Sequence, residues 1–512
     1  MGMLTRTVAA VIEHRKGAFG RAGTVAVDAQ LDTLGELLKK ARHTEWGRRY
    51  GFATDIRTHE QFRLRVPITP YEQAAPQWHR AFEGQRDIAW PGHVRYFAMS
   101  SGTTAGNKLL PVTDDAIASN RRAGAILAAV MLRRGGRGGG GENLLGGRIL
   151  YLGGSTTLKP QGQSFSGDAS GIMARNMPFY FRRRHLPPPE IAALSDWEEK
   201  ITRLVASYLT SDIVAMGACP SWAAMLFGKL LTAAAAAGRP ERTIGELWPK
   251  LSHFISYGMA FAPYRASFDA YIGRPLHYVD TYSSSETGMA AIQEEEGGPL
   301  TMLVDNGVFY EFVPAEEAAR ENPTRLHIGQ VQTGRDYAVV ISSNGGLWAY
   351  PLGDVIRFES LAPPRILFAG RTQLNLSAFG EHVDLRLMEQ AIAAACTATS
   401  ARVADYTVQP IYPGPSSPVP RHRWIVEFEQ SPADAAAFMA AVDNFIRKDS
   451  EDYDAHRTNN YGLLPPELVA VPRGTFYAWM KSKGKLGGQH KVPRVAREVR
   501  MAEEILALAK KN

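Results

Sequence analysis

Apolar positions recur at helical spacing through LDTLGELLKKARHTEWG, from Leu31 onward, without the alternation of a strand. The chain up to about Tyr71 is therefore expected to be helical and to pack around a later core. From Val94 the pattern changes. VRYFAMS reads as a short apolar strand, SGTTAGNK as a loop, and Thr113 with Asp114 and Asp115 as the opening of a helix running to about Arg134. Strand, small-residue loop and helix is a phosphate-site layout. The segment RRGGRGGGGENLLGG, starting at Arg133, reads as a flexible, solvated connection.

Strand-like runs then recur at RILYLGG, DIVAMG, HFISYG and LHYVDTYS, and the amphipathic or alanine-rich stretches between them suit crossover helices. That alternation predicts an α/β fold. After Asn344-Gly345, the runs LWAY, DVIRF and RILFAG predict a small mixed or antiparallel sheet. Beyond GRTQLNLSAFGEHV come a helix at LRLMEQAIAAA, strands at YTVQP and RWIVEFE, a helix at DAAAFMAAVDNFI and a charged helix ending LALAKKN. A boundary near Gly370 divides a large domain, residues 1–370, from a smaller α+β domain, residues 371–512.

A length of 512 residues suits roughly three domains of ~150 residues, or one large and one small. With 45% hydrophobic and 21% charged residues, the chain is neither disordered nor fibrous. The net charge of +7 is mild for this length, and its densest run, around Arg133, Arg134 and Arg137, is diluted by glycine, so no nucleic-acid partner is expected. Cys219 and Cys396 are too few for a disulfide framework or a cysteine zinc cage, which fits a reducing compartment. The most apolar helical stretch, around Ala125 to Leu132, falls far short of the ~20 residues that span a bilayer. The first residues, MGMLTRTVAAVIEHRKG, lack a small-residue cleavage site and read as a helix of a mature cytoplasmic protein.

Five segments carry candidate chemistry. SSGTTAGNKLLPVT, residues 100–113, combines hydroxyls, two glycines and a lysine directly after a strand. Small residues such as Gly102 let backbone N–H groups approach phosphate oxygens, hydroxyls add donors, and Lys108 offsets negative charge. The spacing fails the Walker pattern, which disfavours Ras-like or kinase-like NTPases. In DTYSSSETG, residues 280–288, Tyr282 could stack on a base, Ser285 could bond phosphate and Glu286 could hold magnesium; the same residues also suit a strand-end turn whose serines cap a helix. In GLWAYPLGDVIRF, Asp354 could accept hydrogen bonds from both hydroxyls of a ribose, although Gly353-Asp354 also suits a hairpin turn. GRTQLNLSAFGEHV, residues 370–383, and GKLGGQHKVPR, residues 484–494, complete the set.

In this order the five segments resemble the adenylate-forming superfamily. SSGTTAGNKLLPVT, YSSSE, GLWAYPLGDVIRF and GGQHKVPR further resemble the auxin-responsive Gretchen Hagen family of acyl acid amido synthetases, in a bacterial-type member, over nearly the whole chain. The resemblance implies a large N-terminal adenylate-forming domain with parallel and mixed sheets and a smaller mobile α+β domain. It further implies that Ser100, Ser101, Thr103 and Thr104 line the phosphate loop, that Tyr282 packs on adenine, and that Ser285 and Glu286 face the phosphates and magnesium. Asp354 would bind the ribose, Arg371 would sit at a hinge, and Lys491 would be the mobile lysine of adenylation, with Lys485 its nearest competitor. Plant-type members carry arginines in the strand before Gly-Asp where this chain has Ala349 and Pro351.

The implied activity needs ATP and Mg2+. A small carboxylic acid is activated as an acyl adenylate, and an amino acid or other amine then takes the acyl group. Because Lys491 and the phosphate loop fall in separate domains, adenylation would require domain closure. No His, Asp or Glu stands out as the base for the amine. Two competitors remain: a thioester-forming ligase with coenzyme A or a carrier thiol as acceptor, and a nucleotide-binding regulatory protein without turnover. Oligomeric state is not legible.

Overall fold

A computed structural model of the chain describes residues 23–100, 108–135, 144, 146–258, 261, 264–372, 375–376, 378–381, 383–414, 417, 419–483, 492–496 and 499–510. The expected first helix and the glycine-rich connection at 136–143 lie outside these residues.

The helical reading of the early chain holds from Gly23 on. Helix α1 (Gly23–Ala41) buries Ala26, Gln30, Leu34, Leu37, Leu38 and Ala41, a single face at helical spacing. Helix α2 (Glu45–Tyr50) is capped by Thr44, which accepts from Gly47 N at 3.0 Å, and ends at Gly51, whose φ of 70° a Cβ would oppose. Helix α3 (His59–Arg65) is capped by Thr58, and helix α4 (Tyr71–Phe82) follows. These helices cover a core that includes Trp46, Phe52, Phe62 and Trp348.

A four-stranded sheet has the order β2-β1-β5-β4, with β1 (Tyr96–Ser100), β2 (Lys108–Val112), β4 (Lys159–Gln161) and β5 (Ser164–Asp168). Here the expected layout is corrected. The small-residue loop leads into a second strand, antiparallel to the first with Ser100 opposite Lys108, and not directly into a helix. The run Leu109 to Val112 is apolar and buried, and its hydrogen bonds go to β1. Helix α5 (Asp114–Gly135) begins only after it, where Thr113 accepts from Ala116 N at 3.1 Å.

The large sheet has eleven strands among the described residues. Its parallel part, β6-β3-β7-β8-β9, comprises β3 (Arg148–Leu152), β6 (His185–Leu186), β7 (Ile213–Ala218), β8 (His253–Ser256) and β9 (His277–Ser284). Every residue of β7 is buried, as expected of a parallel strand covered on both faces. Helices α6 (Trp197–Tyr208) and α7 (Pro220–Ala236) supply crossovers. Strands β10 (Gly288–Gln293), β11 (Leu300–Met302), β12 (Val308–Pro314), β13 (Asp336–Ser343), β14 (Leu347–Leu361) and β15 (Pro364–Arg371) continue the sheet antiparallel, in the order β9-β10-β11-β15-β14-β13-β12.

The late antiparallel strands are therefore not a separate small sheet. LWAY and DVIRF form one strand of 15 residues, whose register shift against β13, between Val355 and Pro351, absorbs the Pro351 and Gly353 interruption as a bulge. Ala349, where plant-type members are expected to carry arginine, is fully buried with φ 44°. Arg134 also departs from the solvated reading: it donates to the carbonyls of Tyr278, Gln293 and Glu294 at 2.5, 2.6 and 2.9 Å, tying the end of α5 to β9 and β10.

The chain divides into two compact units. The first holds the described residues from 23 to 261 and from 269 to 372; the second holds 264–268 and the described residues from 375 on. Helix α8 (Arg265–Ile272) spans one of these divisions. In the second unit, β16 (Asn375–Leu376) pairs with β17 (Val383–Asp384), and β18 (Arg402–Ile411), β19 (Arg421–Gln430) and β20 (Glu467–Val471) form a sheet. Around it run α9 (Leu385–Thr399), α10 (Ala435–Asp449), α11 (Glu451–Arg457), α12 (Thr475–Ser482) and α13 (Val499–Ala509). Strand β20 and helices α11 and α12 went unread because short apolar runs among prolines and charges carry little periodicity.

Candidate active site

Asp354 lies on β14 directly opposite Arg371 on β15. Cross-strand pairing sets Arg371 Nε 3.1 Å from Asp354 Oδ1, and Tyr282, near the end of β9, donates its hydroxyl to Asp354 Oδ2 at 2.7 Å. Asp354 is 5% exposed, and its Oδ1 accepts no aligned hydrogen bond: Arg371 offers charge at close range without hydrogen-bond geometry. Burial raises the Asp354 carboxyl above its ordinary pKa, while Arg371 and the Tyr282 hydroxyl oppose that shift. Burial, and then the Asp354 charge, push the Tyr282 phenol well up, so it remains a donor at neutral pH. Gly353, with φ 80°, accepts from Thr372 N at 2.8 Å and so fixes the backbone beside the carboxylate.

The serine-rich motif is a hairpin turn from β9 into β10, not a helix cap. The Ser284 hydroxyl accepts from Thr287 N at 3.2 Å and lies 3.0 Å from Thr287 Oγ1. Gly288, with φ 63°, closes the turn; a Cβ there would fall 2.3 Å from the Asn120 amide on α5. Ser285 and Glu286 are left at the tip, both half-buried. Burial raises the Glu286 pKa, opposed by the Ser284 hydroxyl and by the Lys108 charge. Lys108 opens β2 instead of belonging to the loop, and its Nζ sits 5.5 Å from the Tyr71 ring, whose hydroxyl receives Leu109 N at 2.8 Å. Tyr350 of β14 joins this neighbourhood: burial raises its phenol pKa, and Glu286 adds to the rise.

Of the sequence-derived candidates, Tyr282, Asp354 and Arg371 are brought into direct contact, while Glu286 and Lys108 interact electrostatically. Ser100 ends β1, and Ser101, Gly102, Thr103 and Thr104 lie outside the described residues, as do Lys485 and Lys491. The segment just after Lys491 is anchored. Val408 N donates to Arg494 O at 2.8 Å, Ala496 N donates to Val408 O at 2.9 Å, and Arg494 stacks 4.5 Å from the Tyr406 ring. Among the described residues no group of three or more His, Cys, Asp or Glu is placed to hold a metal.

Sequence reasoning missed Tyr71, Tyr350 and Phe368. The Phe368 ring on β15 is 46% exposed and 6.4 Å from that of Tyr282. Tyr350 and Phe368 are placed by strand pairing and Tyr71 by the contact of α4 with β2, both between segments distant in the sequence. It also passed over Asp280, whose carboxyl burial pushes up to about 6 against donation from Phe261 and Thr281 N–H groups.

The GH3 family N-terminal domain matches residues 15–200, its central domain residues 301–371, and its C-terminal domain residues 386–500. The chain belongs to the GH3 family. It is 25% identical to the indole-3-acetic acid-amido synthetase GH3.8 of Oryza sativa subsp. indica, over 92% of this chain and 88% of that protein. In fold it matches the AtGH3.15 acyl acid amido synthetase in complex with 2,4-DB, with a TM-score of 0.59 at 18% identity over 98% and 96% of the two chains. It also matches a 2-hydroxyisobutyryl-CoA ligase in complex with 2-HIB-AMP and CoA, with a TM-score of 0.54 at 14% identity over 95% and 92%. The GH3 chain thus has the α/β adenylate-forming fold with a smaller α+β unit.

Proposed function

We propose that this protein is an ATP-dependent carboxylate–amine ligase. A small carboxylic acid attacks the α-phosphorus of ATP, forming an acyl adenylate and releasing pyrophosphate; an amino acid or other amine then attacks the acyl carbonyl, forming an amide and releasing AMP. Activation is needed because oxide is a poor leaving group, whereas AMP is a good one. The observation that carries this reading is the buried Asp354 carboxylate with an unfilled acceptor, Oδ1, between Arg371 and Tyr282. In a GH3 chain it suits the vicinal hydroxyls of an ATP ribose. Tyr282 and the neighbouring Phe368 ring offer aromatic surface to the base.

Glu286 fits a magnesium ion held largely by nucleotide phosphates, since Mg2+ in such sites takes one or two carboxylates and keeps phosphate and water oxygens. When bound, the ion supplies charge neutralisation to the phosphates. Lys108 balances Glu286 in its absence and adds positive potential beside the phosphates. Ser100 to Thr104 and Ser285 supply donors to phosphate oxygens, and Lys491 stabilises charge developing on the transferring group. The units bounded at Thr372 correspond in this reading to an adenylation domain and a smaller domain that delivers Lys491.

The test is release of pyrophosphate and AMP from ATP and magnesium across aryl, indole and aliphatic acids, with and without mixed amino acids, with products identified by mass. An amide product, formed only when acid and amine are both present, is expected. Release that depends on coenzyme A or a carrier thiol would replace the amide reading with a thioester ligase. In parallel, Asp354→Ala is expected to weaken ATP binding by ~1–3 kcal/mol, roughly 5- to 150-fold. Wild-type affinity in that variant would remove Asp354 from the nucleotide site.

A further inference from the structure

The first unit holds a cavity of about 700 Å³ between α1, the 52–58 turn and α3, and none of the residues assigned above to the nucleotide site lines it. Its volume lies in the range of small-molecule sites. Leu34, Leu38, Phe52 and Ile56 form an apolar floor, each less than a tenth exposed. The rim is cationic. Lys39, Arg42 and Arg57 line the opening and are exposed, and among the described residues none of the three has a carboxylate partner. Arg42 instead donates to the Lys39 carbonyl at 2.8 Å and to the ring of His43 at 3.1 Å. The one carboxylate on the rim, Glu60, is already 3.5 Å from Arg63.

A second feature keeps this space open. Gly35 lies in the interior of α1 and lines the cavity, where glycine is among the poorest helix formers, and a Cβ built on it would meet nothing within 4 Å. Neither a turn nor a close backbone approach calls for glycine there; its effect is to enlarge the cavity. Below the opening, His59 Nε2 donates to Glu311 Oε1 at 2.8 Å, and Glu311 holds Arg325 through both carboxylate oxygens. That buried carboxylate is fully satisfied, so it leaves the rim positive and braces α3 against β12.

We propose that this cavity binds an amphipathic organic anion, an apolar body bearing one carboxylate or sulfonate, at a site separate from the adenylating centre. The apolar floor takes the body, and Lys39, Arg42 and Arg57 take the head group. This proposal does not rest on the ligase reading.

The probe is 8-anilinonaphthalene-1-sulfonate, titrated by fluorescence into the full chain beside the neutral N-phenyl-1-naphthylamine. The anion is expected to bind in preference to the neutral ring, with an affinity that falls as salt is added. A saturating acyl-adenosine sulfamate should not displace it. The double variant K39E/R57E should weaken the anion about ten-fold and abolish its preference over the neutral probe. Gly35→Leu, which improves helix propensity while filling the space, should weaken both probes without lowering thermal stability or acid-dependent pyrophosphate release. Binding that survives both variants, or that the sulfamate displaces, would overturn the proposal. Absence of acid-dependent pyrophosphate release from the wild-type chain, with both probes behaving as expected, would count against the ligase reading alone.

Discussion

Lys491→Ala is expected to slow acid-dependent pyrophosphate release by roughly 10²- to 10³-fold, the ~2.7–4 kcal/mol typical of removing one charge-stabilising group from a transition state. Negative charge develops on the α-phosphoryl oxygens and the departing pyrophosphate only as the carboxylate attacks. A lysine that meets that charge therefore acts on rate and contributes little to ground-state binding, so ATP affinity should stay within about two-fold of wild type. Attack of the amine on separately supplied acyl adenylate should be far less affected. The anchorage just beyond Lys491 supports this assignment: residues 492–496 run beside β18, held by the Val408–Arg494 and Ala496–Val408 backbone bonds and by Thr407 Oγ1 on the Pro493 carbonyl at 2.7 Å. In the sequence Lys491 directly precedes these anchored residues. Lys485 lies six positions earlier in the sequence, and Lys485→Ala should leave release near wild type. Unchanged release in Lys491→Ala, or an equal loss in Lys485→Ala, assigns the role to another group.

The parallel strands of the fold were legible because runs such as DIVAMG are buried on both faces and contain no competing signal. The candidate nucleotide site was legible in its parts, since hydroxyls, glycines and a carboxylate in short motifs carry chemistry locally. Its assembly was not. That Tyr282 meets Asp354 depends on β9 and β14 sharing one sheet, and that Arg371 meets Asp354 depends on the β14–β15 register. Gly353-Asp354 also suited a hairpin turn; a bulge against β13, whose pairing partners could not be read locally, decides otherwise. Arg134 was hidden for a related reason: its partners are carbonyls of β9 and β10, and backbone acceptors leave no mark in a sequence. The cavity beside α1 arises the same way, from a glycine on α1 and a turn that folds back beside it.

The largest expected stability effect lies in the second unit, at Glu381. This residue of the GRTQLNLSAFGEHV motif is fully buried, and its carboxylate receives Ala378 N at 3.1 Å, Phe379 N at 2.7 Å and His422 Nε2 at 2.8 Å. The His422 ring stacks between Phe379 and Tyr453, so one carboxylate joins the turn at 378–381, β19 and α11. Replacing it by alanine leaves a buried N–H, a half-buried N–H and a buried imidazole without their acceptor, a loss expected to cost ~3–5 kcal/mol. The pH dependence follows from the same contacts. Burial alone would raise the Glu381 pKa, but the His422 bond and charge outweigh it and hold the folded value well below the ordinary 4.5. A group whose pKa is depressed on folding stabilises the fold fully above its unfolded pKa, and that contribution disappears as the pH falls through the folded value. Wild-type stability should therefore decline below about pH 4.5 more steeply than that of Glu381→Gln, which starts lower, retains one acceptor for the turn and has no carboxylate to protonate. Chemical denaturation from pH 7 to pH 3, followed by fluorescence, measures both curves; parallel curves for wild type and Glu381→Gln would show that the buried pair does not set acid stability.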